Sequence, residues 1–546
     1  MRRCLTFVIC LLFVTPIGCG KGRSPERSDV EQVSSSNDAH ALNGDRSVKE
    51  PVKKSVKKSS SYSEVARAYF GEIKAKRWLG AANFKGRKNG SLILIVIDAF
   101  NTSHIGAYGY DRDTTPNIDK IAAKGLMAVN YISNSSWTRP SFTTIITGLT
   151  KRQHKMELNG NEVSSEIETI AERFLKAGYK TAGIVGNPLI REIWGFGQGY
   201  KLYEDTHSMG KVFPPDAKIA KKATTWLDSV GDDPFFLKLF LTAPHTPYRP
   251  ISGYRKYSDM QKAGQVIEYP FREYKRPMAA ANHNRLVAAY DDEISYADIQ
   301  VGKIVAKLKQ LGRDDDTAII ITADHGEMLG EHNCYQHAYH MWEQVLRVPF
   351  VMYAPWLKAN GVYDDKPHTH IDLLPTALDL VALKHSDKAL QGKSFFDDST
   401  ITDERVIFSQ YNAHKIRRQV VRKGRWKLVH HHKVDVGALE KLNSLHESIP
   451  HAEPKDLPSL ATDGERFEFY DLVADPKETK NLFKVKKNTP PLVELLDALG
   501  PNLTKETNRS GLSAETIEAL TAAGYFVSES DAQPTKLQKA SKKSAK

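Results

Sequence analysis

The sequence predicts an α/β fold: a large, mainly parallel sheet covered by helices on both faces, with a smaller C-terminal antiparallel sheet. Three observations predict it. Short runs that are apolar on both faces alternate with helix-period segments through the first two thirds of the chain. Residues able to do chemistry follow directly after those runs. Past about residue 400 the pattern changes to short strand-like stretches separated by turn signals.

The buried-type runs are Leu92–Ile97, Thr181–Val185, Phe235–Leu241, Ala318–Thr322 and Pro349–Tyr353. Apolar residues at every position, without alternation, are what central parallel strands require. Between the runs lie helical segments. Pro116–Lys124 opens with Pro in a first turn and repeats Ile118, Ile121 and Ala122. Ile167–Ala177 is a second, and Arg285–Leu311 is the longest, with Leu286, Ala289, Ile294, Ala297, Val301, Ile304 and Leu308 near helical spacing. A short amphipathic stretch, Tyr62 to Phe84, precedes them. The late strands are expected at Val406–Gln410, Gln419–Arg422, Trp426–His430 and Phe467–Leu472, followed by a helix over Leu512–Gly524.

These signals divide the chain into 1–19, a leader; 20–60, a polar tether; 61–398, the main α/β domain; 399–528, the C-terminal subdomain; and 529–546, a basic tail. Arg2 and Arg3 precede a 13-residue apolar run, Leu5 to Ile17, too short for a stable span and suited to a signal-peptide core. It ends at Pro16-Ile17-Gly18-Cys19, which resembles a lipoprotein cleavage box, so the protein is expected to be exported and anchored through a lipid on Cys19. The other cysteines are Cys4, Cys10 and Cys334. One cysteine in the mature body leaves no internal disulfide, and Cys334 reads as a bystander.

The formal charge is +12. Residues 1–60 hold 11 basic against 6 acidic side chains, and residues 532–546 hold five lysines and no acid. The middle of the chain is near neutral, which argues against nucleic acid as a partner, since such binders carry their charge on the fold. Membrane contact is expected only through the lipid.

In open α/β sheets, ligands bind beyond the carboxyl ends of the strands. Leu92–Ile97 ends at Asp98, Ala318–Thr322 leads to Asp324 and His325, Phe235–Leu241 to His245, and Thr181–Val185 to Asn187. Carboxylates with imidazole form a set able to hold one divalent metal ion, and calcium, manganese and zinc all suit it. Thr138, two residues before Pro140, is expected just ahead of a helix N-terminus, where backbone N–H groups favour anions. Its hydroxyl can serve both as a metal ligand and as a nucleophile. The run His430-His431-His432 reads as a chance surface cluster rather than a metal site.

Leu92-Ile-Leu-Ile-Val-Ile-Asp98, Thr114-Thr-Pro-Asn-Ile-Asp119, Thr138-x-Pro140-Ser141, Pro244-His-x-Pro-Tyr248, Asp324-His-Gly-Glu327, Glu343-x-x-x-Arg347-Val-Pro349, Asp372-x-x-Pro-Thr376 and Tyr470-Asp-Leu-x-x-Asp475 resemble the sulfatase family, of the alkaline-phosphatase superfamily, in order and spacing. The resemblance covers roughly residues 90–483. It implies a hydrolase of phosphate or sulfate esters with one divalent metal on Asp98, Asp324, His325 and Thr138. It further implies that His245 assists the leaving group, and that His337, with His340 beside it, contacts the substrate anion.

Three departures matter. The family's formylglycine precursor, Cys or Ser, is replaced by Thr138, which cannot give the aldehyde, and Phe142 replaces the Arg that follows it. Ala99 stands where a second Asp is usual. Gly186-Asn187-Pro188-Leu189 lacks the cation and imidazole of the usual motif, leaving Asn187 as the substrate contact there. The chain is therefore more similar to Thr-nucleophile members, which hydrolyse phosphoesters or transfer head groups, and its substrate is expected to be a small or polymer-linked anionic ester. The alternatives are a sulfuric ester hydrolase in the strict sense and a non-catalytic binding protein of this fold.

Overall fold

A computed structural model describes residues 61–503, less 74, 79, 81–83, 157–161, 206–214, 247, 249–250, 252–253, 260–277, 339, 386–389, 398–400, 403, 414–415, 433–464 and 487–488. The leader, the tether, Cys19, the segment Leu512–Gly524 and the basic tail lie outside the described residues.

The main sheet has nine strands: β1 (Lys76–Arg77), β2 (Ser91–Ile97), β3 (Leu126–Ala128), β4 (Lys180–Val185), β5 (Leu202–Glu204), β6 (Phe235–Leu241), β7 (Thr317–Ala323), β8 (Phe350–Tyr353) and β9 (Val362–Asp364). Their order is β1-β9-β3-β8-β7-β2-β6-β4-β5. Every residue of β2, β6 and β7 is buried, as expected for strands covered on both faces. The parallel register sets Ile97 beside Leu241 and Ala323, so three strands end level.

One expectation is corrected. The Pro349–Tyr353 run reads as a central parallel strand, but β8 is antiparallel to both β7 and β3. Burial on both faces produces the same apolar run whichever way a strand points, so composition carries no direction.

Among the described residues, the helices of seven residues or more are α1 (Ser61–Phe70), α2 (Pro116–Ala122), α3 (Thr138–Thr147), α4 (Ile170–Lys176), α5 (Asp216–Val230), α6 (Ala280–Gln310), α7 (Leu373–Leu380) and α8 (Pro490–Leu503). α2 and α5 pack on α6, while α4 and α7 pack on α3. α5 escaped the sequence reading because its buried stripe, Ile219, Ala220, Ala223, Leu227 and Val230, is diluted by alanine. α6 also positions α2. Its buried Asp298 accepts the N–H groups of Asn117 and Ile118, first-turn donors with no acceptor inside their own helix.

The C-terminal sheet is antiparallel, in the order β10 (Val406–Ala413), β11 (Ile416–Lys423), β12 (Trp426–His431), β13 (Arg466–Asp471). It corrects a second expectation. His430 and His431 are buried rather than on the surface, because β12 is an interior strand with a neighbour on each side.

A buried ionic network ties this sheet to the main domain. Glu343 accepts from Arg347 Nη2 at 2.6 Å, Arg422 Nη1 at 2.9 Å and Lys427 Nζ at 3.3 Å. Lys427 also pairs with Glu478 at 2.7 Å. Burial alone would raise the Glu343 carboxyl, yet Arg422, Lys427 and Arg347 hold it well below its ordinary range. Glu343→Gln leaves buried cations without their countercharge, so it is expected to destabilise the fold by about 3–5 kcal/mol in denaturant unfolding. A loss under about 1 kcal/mol would mean that the network is neutral in net.

Candidate active site

The site forms where β2, β7 and β6 end and α3 begins. The chain turns sharply after Asp98, at Ala99, whose φ is +53°. That left-handed backbone is costly for a residue with a Cβ. It is held by Tyr290 of α6, which donates to the Ala99 carbonyl at 2.7 Å and accepts the Asn101 N–H at 2.9 Å. Past β7, Gly326 allows contact with the neighbouring chain: a Cβ there would lie 2.1 Å from the Gln344 carbonyl oxygen.

Asp98, Asp324 and His325 are fully buried, and one ligand atom from each lies within 4.8 Å of the others. His325 Nε2 is 3.7 Å from Asp98 Oδ1 and 3.4 Å from Asp324 Oδ2. Its Nδ1 lies 3.0 Å from the Gly326 carbonyl oxygen, which can only accept. Nδ1 therefore carries the proton and Nε2 the lone pair. Burial, then the Asp324 charge, holds Asp98 well above the ordinary carboxylate range. Burial also raises Asp324, with His325 pulling the other way. Asp98 Oδ1 and Asp324 Oδ2 are buried without a hydrogen-bond partner. Two orphaned carboxylate oxygens beside an imidazole lone pair fit a divalent cation.

Thr138 is buried, and its Oγ1 donates to His325 Nε2 at 3.2 Å. It is the first residue of α3 rather than the residue before it, with Trp137 as the cap. Pro140 sits comfortably in the first turn because its missing N–H has no acceptor there. Ser141 Oγ donates to the Asp324 carbonyl, tying α3 to the end of β7.

His337 and His245 adjoin this cluster. The His337 ring lies 4.1 Å from that of His325 and 5.0 Å from that of His245, between centroids. His245 Nδ1 donates to the Thr246 carbonyl at 2.6 Å, which leaves Nε2 to face a ligand. Burial lowers His245 below 6.5, and the Glu327 charge opposes that shift.

Asn187 and His340, two expected substrate contacts, have these partners in the structure. Asn187 Nδ2 donates to Asp98 Oδ2 at 2.7 Å, and its Oδ1 accepts from the Leu189 N–H at 2.8 Å. Both ends of the amide are engaged, so it orients Asp98. His340 stacks on Trp342 with centroids 4.9 Å apart, and the charges of Arg418, His332, His431 and Glu468 act on it. Its ring is thus set among groups that include Arg418, His431 and Glu468 of the C-terminal sheet.

Glu327 and Tyr248 were not singled out as site residues. Glu327 Oε1 lies 3.1 Å from His337 Nδ1, and Tyr248 donates to Oε2 at 3.2 Å. Both close motifs already quoted, Asp324-His-Gly-Glu327 and Pro244-His-x-Pro-Tyr248. The signal was present in the sequence; their joint contact was not. Cys334 is buried against Met328 and Val345, outside this cluster.

The comparisons with known proteins agree with this geometry. The chain is 24% identical over 379 residues to the uncharacterized sulfatase YidJ of Escherichia coli, spanning 60% of this chain and 74% of that protein. The solved structure of BT4656 with its substrate D-glucosamine-2-N,6-O-disulfate matches with TM-score 0.59 at 19% identity, covering 76% of this chain and 98% of that one. The phosphonate monoester hydrolase of Agrobacterium radiobacter matches with TM-score 0.56 at 18% identity, over 76% and 95% of the two chains. The sulfatase family model matches residues 91–383, more than half of the chain. The chain thus belongs to the sulfatase family, whose metal-dependent enzymes hydrolyse ester bonds, and is itself a hydrolase of this kind.

Proposed function

We propose that the protein hydrolyses phosphoesters, or transfers their head groups, with Thr138 as the nucleophile. The observation that carries this reading is the 3.2 Å contact between Thr138 Oγ1 and His325 Nε2, beside the unpartnered oxygens of Asp98 and Asp324. Those three residues would hold the cation. When bound, a divalent cation supplies positive charge that eases ionisation of a nearby hydroxyl and polarises an ester oxygen.

Thr138 Oγ1 attacks phosphorus in line with the departing oxygen. Its proton passes to solvent, and a phospho-threonine forms as the ester bond breaks. His337 and the backbone at the start of α3 receive the equatorial oxygens. Glu327 and Tyr248 fix the His337 ring. His245, first protonated at Nε2 from solvent, delivers that proton to the leaving oxygen, and water or an acceptor alcohol then takes the phosphoryl group. A hydroxyl nucleophile that no oxidation converts to an aldehyde supports phosphorus over sulfur.

The test is turnover of an aryl phosphodiester, an aryl phosphomonoester and an aryl sulfate by the full chain with divalent metal. Phosphoester turnover exceeding sulfate turnover supports the reading, and sulfate-only turnover overturns it. The sulfatase names among the relatives favour a second reading, sulfate-ester hydrolysis by the same hydroxyl, for which sulfate-only turnover is the expected outcome.

The assignment of His245 makes a separate prediction. Replacing it by Ala is expected to cost alkyl esters about 10²-fold, but nitrophenyl esters about tenfold or less, because a good leaving group needs little protonation. Equal loss across a leaving-group series would remove His245 from the proton transfer.

A further inference from the structure

The described residues contain a second cluster able to hold a cation, in the C-terminal sheet. We propose that His430, His432 and Glu465 form a structural site for a divalent transition ion of the zinc class, separate from the site at Asp98, Asp324 and His325.

The backbone register brings the three together. His430 and His432 lie two residues apart on one extended segment, and this spacing places both on the same sheet face. The ladder continues one residue past β12, because the His432 N–H donates to the Arg417 carbonyl at 3.1 Å. Across the sheet, His430 pairs with Phe467 and His431 with Arg466. The next step in that register sets His432 opposite Glu465. One ligand atom from each of His430, His432 and Glu465 lies within 4.8 Å of the others.

The donor atoms suit the role. His432 Nε2 is 2.9 Å from Gln419 Oε1, an oxygen that only accepts. Nε2 therefore carries the proton, and the His432 Nδ1 lone pair is left for a ligand, with Gln419 orienting the ring as outer partners of metal-bound imidazoles do. His430 is fully buried and held by stacking on Phe467, with ring centroids 4.3 Å apart and planes 4° from parallel. Its Nε2 contacts Glu465 Oε1, and its Nδ1 is buried with no hydrogen-bond partner. The rings of His430 and His432 lie 3.9 Å apart between centroids, their planes tilted by 39°. Two imidazoles closing on one buried carboxylate form an arrangement in which a cation replaces the missing solvation.

The two sites differ in kind. The catalytic cluster offers two carboxylates and one imidazole; this one offers two imidazoles and one carboxylate, a nitrogen-rich set matched to zinc rather than calcium. No coordination position here needs to stay open for a substrate. The ion would bind the end of β12 to the start of β13, and its effect is thus on stability.

The experiment is zinc stoichiometry on the full-length chain, stripped with chelator and dialysed against zinc chloride. Wild type is expected to hold two zinc ions per chain, His432→Gln and Glu465→Gln one each, and Asp324→Asn one. If the catalytic cluster rejects zinc, wild type holds one and Asp324→Asn still holds one, so the two assignments fail separately. Cobalt substitution adds a second readout: the intense visible bands of a tetrahedral ion should vanish in His432→Gln and Glu465→Gln and persist in Asp324→Asn. His432 is partly exposed and Glu465→Gln is nearly isosteric, so circular dichroism should show both variants folded. Should one not fold, the other decides. A folded variant retaining wild-type zinc content and cobalt bands overturns the proposal.

Discussion

Thr138→Ala is expected to lower phosphoester turnover by at least ~10²-fold while leaving the fold in place. Alanine is a good helix former, so α3 persists although the Oγ1 contact to His325 is lost. The loss should therefore fall on kcat, with circular dichroism unchanged. Thr138→Ser keeps the hydroxyl and should retain measurable turnover. Quenching wild type during turnover should leave one phosphoryl group on the peptide containing Thr138. Turnover in Thr138→Ala within tenfold of wild type would remove this hydroxyl from the chemistry, and the phosphoester reading with it.

Asp324→Asn has the second large effect, with opposite signs on function and on metal-free stability. Removing one of two carboxylates is expected to weaken metal binding and lower turnover by about 10²-fold or more. The metal-free protein should nonetheless unfold at a higher denaturant concentration. Burial raises both carboxyls above 3.8 in the folded state, and the Asp324 charge raises Asp98 further. A raised carboxyl pKa means that the folded state binds more protons, so stability falls as pH climbs from about 3.8 through the folded values. At neutral pH the ionised pair costs stability, and an amide relieves part of that cost. Well below pH 3.8, where both carboxyls are protonated in either state, the advantage of the variant should disappear. Saturating metal should reverse the order at neutral pH, since the wild-type pair gains more from the cation. A metal-free variant less stable than wild type at neutral pH would contradict the electrostatic account.

Much of the site was legible because parallel strands write chemistry at fixed places. Asp98, Asp324 and His325 each follow a fully apolar run, and level strand ends bring them together. The same logic reached His245 through β6. It left the partners of Asn187 and His340 open. Asn187 also follows a buried strand, but proximity to a strand end does not say whether an amide faces a ligand or a neighbouring carboxylate. His340 stands three residues past His337, in a stretch without helical or strand periodicity to fix its direction. Glu327 and Tyr248 meet across 79 residues, a separation at which no local pattern carries information.

Local pattern and backbone geometry determined five of the nine main-sheet strands, the family resemblance and the strand-end positions of Asp98, Asp324 and His325, because burial constrains residue type one position at a time. Tertiary structure alone decided the reversed direction of β8, the engagement of Asn187 with Asp98, the interior position of the histidine run on β12 and its meeting with Glu465. Each of these depends on which distant segment lies alongside, and pairing between segments is set by the packing of the whole chain rather than by the residues of either one.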